Sequence, residues 1–248
     1  MKTYTLSKST YIRGLQCLKS LYLNKHRSYL RDKLSEEQLA KFTRGHTVGK
    51  LAQQLFPGGI EMARPGVATA DKTQQFISEG IPVIYEACFL YNDVLIAIDI
   101  LVRSEYGWNA YEVKSSGALS ETYYNDAYIK DYVIRGSGLN LNSFFLVYRD
   151  SSIEIEVNSE VSQLFKFEQL PPKQAGFWNE IESELSLMKE TLNRTHSPDI
   201  APGKQCMNPY PCDFRGICWK GKSEEEIDAL LAAKESLGSA SSDPNEIQ

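Results

Sequence analysis

Val94-Leu-Ile-Ala-Ile-Asp99-Ile-Leu-Val102, followed by Tyr111-Glu112-Val113-Lys114-Ser115-Ser116, is the stretch that decides the fold. The first run is apolar except for one carboxylate, the pattern of a central strand buried on both faces. Its neighbours, Pro82 to Tyr91 and Trp108 to Lys114, are β-rich and set off by Asn92-Asp93 and Tyr106-Gly107, so the three form an antiparallel meander. Upstream, Ser35 and Gln38 make a capping box for a helix that runs to Phe56, where Pro57-Gly58-Gly59 stops it. Downstream, a helix from about Glu121 to Arg135 closes at Gly136-Ser137-Gly138, and Ser143 to Arg149 is the next strand, turning into Ile153–Val157. The expected fold class is therefore α/β, with a core of order αβββαβ.

Working outward, Ser7 caps a first helix expected to reach His26, with Leu15, Leu18, Leu21 and Tyr22 at helical spacing. A short helix from Thr69 to Ser78 precedes the meander, and a long one from Lys173 to Leu192 follows it. The loop from Pro198 to Pro211 is dense in proline, glycine and polar residues. Ser223 and Glu226 cap a last helix over 223–235, and 236–248 read as a disordered tail. The expected organisation is one domain over 1–222: a basic helical arm (1–34), the αβββαβ core (35–158) and a C-terminal helix with a cysteine-rich loop (173–222).

The 248 residues are 42% hydrophobic and 24% charged, a globular composition. No apolar run reaches the roughly 18 residues of a membrane span, and the N-terminus has no signal-peptide core, so a soluble cytoplasmic protein is expected. The net charge of −5 hides an asymmetry. Residues 1–50 hold eleven Lys and Arg against Asp32, Glu36 and Glu37, a net +8 that leaves −13 for the rest. Such an arm either follows a polyanion backbone or is a set of solvated helix faces.

Glu112 and Lys114 stand two apart on a strand and share a face. Asp99 lies within an apolar strand, where an uncompensated carboxylate is costly. A hard divalent cation between Asp99 and Glu112 satisfies both, with Lys114 beside it to orient or help deprotonate an attacking water and to stabilise charge on a scissile phosphate. The plain alternative is a buried ion pair of Lys114 with Asp99 or Glu112. If the site is chemical, Lys114→Ala is expected to abolish activity and spare folding. Cys206, Cys212 and Cys218, with five residues between neighbours, suit soft-metal ligation by an iron–sulfur cluster or zinc. Cys17 is the expected fourth ligand, since Cys88 sits in a core strand and reads as a buried hydrophobe.

The element order with Asp99 and Glu112-Val113-Lys114 resembles the PD-(D/E)XK nuclease superfamily, in its RecB-like branch. The resemblance implies a further metal ligand on the upstream helix, matched by His46 in Arg44-Gly45-His46-Thr47-Val48-Gly49, where Gly45 and Gly49 would allow close approach. Taken alone, His46 reads as a surface histidine. The resemblance also implies that the Val113 carbonyl joins the metal site and that Glu86 lines it, though Glu86 reads equally well as a strand-edge residue. The family's glutamine on the following helix is replaced by Lys130, close to Tyr132. Tyr124, Tyr128 and Tyr132 form a stripe read as core packing or as a base-stacking platform. Glu86, Tyr128, Lys130 and Tyr132 are thus candidate DNA contacts.

One cysteine before the core and three after it resembles RecB-like nucleases that carry a [4Fe–4S] cluster, the CRISPR-associated exonucleases among them. Leu6-Ser-Lys-Ser-Thr-Tyr-Ile-Arg-Gly-Leu-Gln-Cys17 looks like a poorly characterised bacterial branch of the same group. The resemblance spans about residues 5 to 219. It implies a DNA exonuclease on single strands or ends, with Mg²⁺ or Mn²⁺, a structural [4Fe–4S] cluster (zinc being the alternative), DNA as partner, and CRISPR or DNA-repair proteins as further partners. A non-catalytic nucleic-acid-binding or partner-binding module is the competing class. An iron–sulfur electron carrier is a third.

Overall fold

The computed structural model describes residues 2–150, 160–174 and 176–232. In chain order these form β1 (Leu6–Ser7), α1 (Lys8–Gln16), α2 (Leu18–His26), α3 (Glu36–Gln53), β2 (Ile60–Glu61), α4 (Val67–Ser78), β3 (Val83–Tyr91), β4 (Val94–Ser104), β5 (Gly107–Lys114), α5 (Glu121–Gly136), β6 (Leu141–Arg149), β7 (Phe165–Gln169), α6 (Phe177–Asn193), α7 (Arg215–Cys218) and α8 (Glu224–Ala232). The chain divides into two compact units, 1–12 with 35–185 and 13–34 with 186–248.

The first unit holds one seven-stranded mixed sheet in the order β2-β3-β4-β5-β6-β7, with β1 beside β4. The β3–β4–β5 meander is antiparallel, and β5 pairs with β6 in parallel after the α5 crossover. The αβββαβ order read from the sequence is present. Its reason is local: Ser35 and Gln38 close the capping box of α3, and Asn92 and Asp93 turn the β3–β4 hairpin at φ 46° and 59°, a left-handed geometry that Asn and Asp tolerate.

Three expectations change. The first helix breaks at Cys17, which is extended at φ −167° and ψ 115°, giving α1 and α2 in place of one helix to His26. The central strand β4 is buried throughout on one face, by Val94, Ile96, Ile98 and Ile100, and only in part on the other, where Leu101 is buried and Leu95, Ala97 and Asp99 are half-buried. β6 pairs with β7, a strand the sequence reading did not include, and the expected strand Ile153–Val157 lies outside the described residues, as does the tail 236–248. α3 packs under the sheet through Val48, Leu51 and Ala52, against a cluster of Tyr85, Ile100, Tyr111 and Val147.

The second unit gathers the segment around α2 with the C-terminal loop. Asp213 accepts from Arg13 Nη2 at 2.6 Å and Arg31 Nη2 at 2.5 Å, and the Gln16 amide donates to the carbonyls of Gln205 and Tyr210. Ser223 and Glu226 close the expected capping box at the start of α8.

Candidate active site

The position of Asp99 follows from how β4 shares its edge. Residues 94 and 95 pair with β1, and residues 100 to 104 pair with β5. Beyond Tyr111, β5 leaves β4 and continues against β6 as far as Lys114. At that divergence the Val113 N–H is free of the β4 ladder, and it donates to Asp99 Oδ2 at 2.6 Å. Glu112, the next residue after the last β4–β5 pair, is on the same side as Asp99 by strand alternation. On β3, Glu86 stands opposite Asp99, between the Tyr85–Ile100 and Ala87–Ile98 pairs, and adopts φ 55°. That left-handed geometry in a strand is costly for a glutamate and belongs to sites where a side chain is re-aimed.

α5 supplies the other wall. Asp126 and Lys130 are four residues apart, hence on one helical face, and both are buried at 4% and 5% exposure. Lys114 Nζ donates to Glu112 Oε1 at 2.9 Å and to Asp126 Oδ2 at 2.8 Å. Lys130 Nζ donates to Glu112 Oε2 at 2.5 Å, and Lys8 Nζ to Asp126 Oδ2 at 2.7 Å. Both oxygens of Glu112 are therefore engaged by ammonium groups.

The electrostatics divide the two carboxylates. Burial and the neighbouring Glu112 carboxylate push the Asp99 carboxyl up to about 7, against the pull of Lys130 and the Val113 N–H. Glu112 is opposed by burial, yet Lys114, Lys130 and Lys8 hold it well below the usual carboxylate range. Burial disfavours the Lys114 ammonium, but Glu112 and Asp126 overcome that and raise it. In this arrangement the Lys114 ammonium is a positive charge held between two carboxylates. Burial raises Glu86, with Lys130 working against it and Glu112 with it.

The sequence-predicted residues separate accordingly. Asp99, Glu112, Val113 and Lys114 meet at the divergence of β4 and β5, and Glu86 faces it. His46 is exposed on α3, two residues before the first one that packs under the sheet. The open space around Gly45 and Gly49 gives no close approach there, contrary to expectation. Tyr128 and Tyr132 are both 5% exposed, Tyr128 donating to the Pro171 carbonyl and Tyr132 bonding with Asn92 and Glu182. The Lys130 ammonium is buried on Glu112. Asp126 and Lys8 were missed. Asp126 sits one helical turn before Lys130, a spacing that was visible, but which face of α5 meets the sheet is a tertiary fact.

A divalent ion fits the donor chemistry of this corner, since two carboxylates and a strand carbonyl are hard oxygen ligands. Among the described residues no three His, Cys, Asp or Glu side chains form a group that could hold a metal ion.

In the second unit Cys17, Cys206, Cys212 and Cys218 line one small cavity and none is in a disulfide. Burial raises the thiols of Cys17 and Cys218. Two buried donors adjoin them without an acceptor, Arg215 Nε and the Trp219 indole N–H. Arg215 lines the same cavity, and Trp219 packs against the cluster of Leu23, Cys206, Cys212 and Phe214. Four thiols lining one cavity with spare N–H donors beside them are the donor types a sulfur-rich prosthetic group uses, although as placed they do not form a group that could hold a metal ion. Cys88 is buried in β3, as expected.

No protein-family model matches the chain, and no curated protein is significantly similar to it. Among solved structures it is similar to an alkaline exonuclease from Laribacter hongkongensis, at 12% identity and TM-score 0.45 over 76% of this chain and 87% of that one. The same exonuclease in complex with dAMP gives 13% identity and TM-score 0.43 over the same shares. A third structure, SSO0001, gives 11% identity and TM-score 0.44 over 90% of this chain and 89% of that one. Likeness at this level is loose, and the reading of the site stands on its own geometry. Among the described residues no helix is long and apolar enough to cross a membrane.

Proposed function

We propose that this protein is a metal-dependent DNA nuclease, an exonuclease acting on single-stranded DNA or DNA ends. The observation that carries the reading is the meeting of Asp99, Glu112 and the Val113 backbone with the Lys114 ammonium where β5 parts from β4. Asp99, Glu112 and the Val113 carbonyl are the proposed ligands of Mg²⁺ or Mn²⁺, with His46 as the proposed addition from α3. When bound, such an ion supplies Lewis acidity toward a phosphodiester oxygen. Lys114, held charged by Glu112 and Asp126, stabilises the negative charge that grows on the phosphate as water attacks. Asp126 positions Lys114 through its 2.8 Å bond and Lys8 offsets the remaining charge on Asp126.

Cys17, Cys206, Cys212 and Cys218 are the proposed ligands of a [4Fe–4S] cluster, whose role is to tie the segment around α2 to the C-terminal loop within the second unit. The basic residues of the first fifty are only in part available to DNA. Lys8, Arg13, Arg31, Lys41 and Lys50 each have a carboxylate partner within the chain.

The second reading, a binding module without catalysis, is favoured by the engagement of both Glu112 oxygens with lysines. End-labelled single- and double-stranded DNA incubated with the protein and Mn²⁺ separates the two. The nuclease reading expects release of labelled nucleotides that stops with EDTA and in Glu112→Gln. Binding of DNA without release, in protein that carries its metals, selects the module.

A further inference from the structure

Lys130 is the cation at this corner that the proposed chemistry does not use. It lies on α5 one turn after Asp126, is 5% exposed, and puts its ammonium 2.5 Å from Glu112 Oε2. Lys114 already holds the other oxygen of Glu112. A buried ammonium is sustained only by the carboxylates around it. Counted with its neighbours, the corner contains Glu86, Asp99, Glu112 and Asp126 against Lys8, Lys114 and Lys130, which leaves one excess negative charge when all are ionised.

We propose that Lys130 is a tethered counter-cation standing in for a divalent ion, so that metal enters this corner by displacing the Lys130 ammonium from Glu112 and not by filling an open site. The proposal rests on the reading of Asp99 and Glu112 as metal ligands. Its physical basis is charge. An ion of charge +2 added beside a retained ammonium converts a small negative excess into a positive one in a poorly hydrated place, where like charges repel strongly. Each Glu112 oxygen already accepts from a lysine, so a cation coordinated there would stand next to an ammonium on the same oxygen. Lys114 is held from two sides, by Glu112 and Asp126, whereas among the described residues Lys130 is hydrogen-bonded to Glu112 alone, so Lys130 is the one that yields. The chain therefore binds divalent cations weakly for the ligands it carries, and a neutral side chain at position 130 removes the competitor.

Mn²⁺ titration of the full-length protein, followed by the loss of the free-ion electron paramagnetic resonance signal, reads this without any turnover. Lys130→Gln, which keeps a donor toward Glu112 without the charge, is expected to bind Mn²⁺ at least tenfold more tightly than the natural protein, and Lys130→Arg no more tightly. Lys130→Met fills the same volume and gives the same comparison if the glutamine variant does not fold. Asp99→Asn serves as the control for the ligand set. Unchanged or weaker Mn²⁺ binding in the folded Gln or Met variant, with Asp99→Asn abolishing it, overturns the displacement and leaves the ligand assignment standing. Mn²⁺ binding that is indifferent to Asp99→Asn in every background overturns the ligand assignment and the displacement with it.

Discussion

At the scale of single residues, Lys114 does two jobs, and they pull its mutants in one direction. The sequence reading expects Lys114→Ala to abolish activity and spare folding. In the fold it is 9% exposed and bonds to Glu112 and Asp126 at once. Removing one partner of a buried pair leaves an uncompensated charge at a cost of about 3–5 kcal/mol. Lys114→Ala is therefore expected to lose nucleotide release and also to lower the melting temperature markedly. Inactive protein that melts like the natural one would return Lys114 to a purely chemical role. Asp99 gives a pH signature. Its carboxyl, ordinarily at 3.8, is at about 7 in the fold, so the fold favours the protonated form. The stability this group carries is complete below about pH 4 and is lost as pH rises through 7. Asp99→Asn lacks that loss while keeping an acceptor for the Val113 N–H. In EDTA its melting temperature is expected to overtake that of the natural protein by a few degrees between pH 5 and pH 8; a constant difference across that range would show that Asp99 does not titrate there. Asp99, Glu112 and Lys114 were legible because a carboxylate in an apolar strand and an ion pair on one strand face are local patterns. The bonds of Lys130 and Lys8 were not, because they join residues 18 and 118 positions apart in the chain.

At the scale of elements, α5 and α3 show how a glycine's meaning depends on packing. Gly136 was legible as a helix stop, but the decisive fact is the Tyr91 ring beneath it, 2.1 Å from where a Cβ would stand. Gly136→Val is expected to push α5 from β3, destabilising the protein by about 1–3 kcal/mol in urea denaturation. A stability equal to the natural protein's would mean that Tyr91 gives way freely. Gly45 is the opposite case. It lies within α3 with nothing near its Cβ position, so Gly45→Ala is expected to add roughly 0.5–1 kcal/mol through helix propensity alone. A loss of stability in the same denaturation would restore the close approach that the sequence reading expected. The break at Cys17 escaped the sequence because Leu15, Leu18, Leu21 and Tyr22 keep helical spacing across it; Leu15 is in fact exposed and Leu21 buried.

At the scale of the whole molecule, the sequence carried the arrangement of the cysteines further than that of the charges. Cys17 is 189 residues from Cys206, yet both belong to the second unit and line the same cavity with Cys212 and Cys218. Soft donors clustered in a polar loop are a compositional signal that survives without knowledge of the fold. The positive arm is not such a signal, because Asp213, Asp126 and Glu61 take up part of its charge from distant segments. Protein purified without oxygen is expected to be brown, with a broad absorbance band near ~400 nm from thiolate-bound iron. Cys17→Ser and Cys212→Ser should lose the colour, and Cys88→Ser, in a core strand of the other unit, should keep it. A colourless natural protein carrying one zinc per chain would replace iron with zinc at these four sulfurs.

The central claim is that Asp99 and Glu112 take one hard cation beside Lys114. Anomalous scattering from a crystal soaked in Mn²⁺ addresses it without recourse to activity. A single manganese peak is expected within about 2.0–2.5 Å of a carboxylate oxygen from each of the two residues, a span covering hard-cation oxygen distances, with Lys130 drawn back from Glu112. Manganese absent from that corner at saturating concentration, with Glu112 still clasped by both lysines, would contradict it.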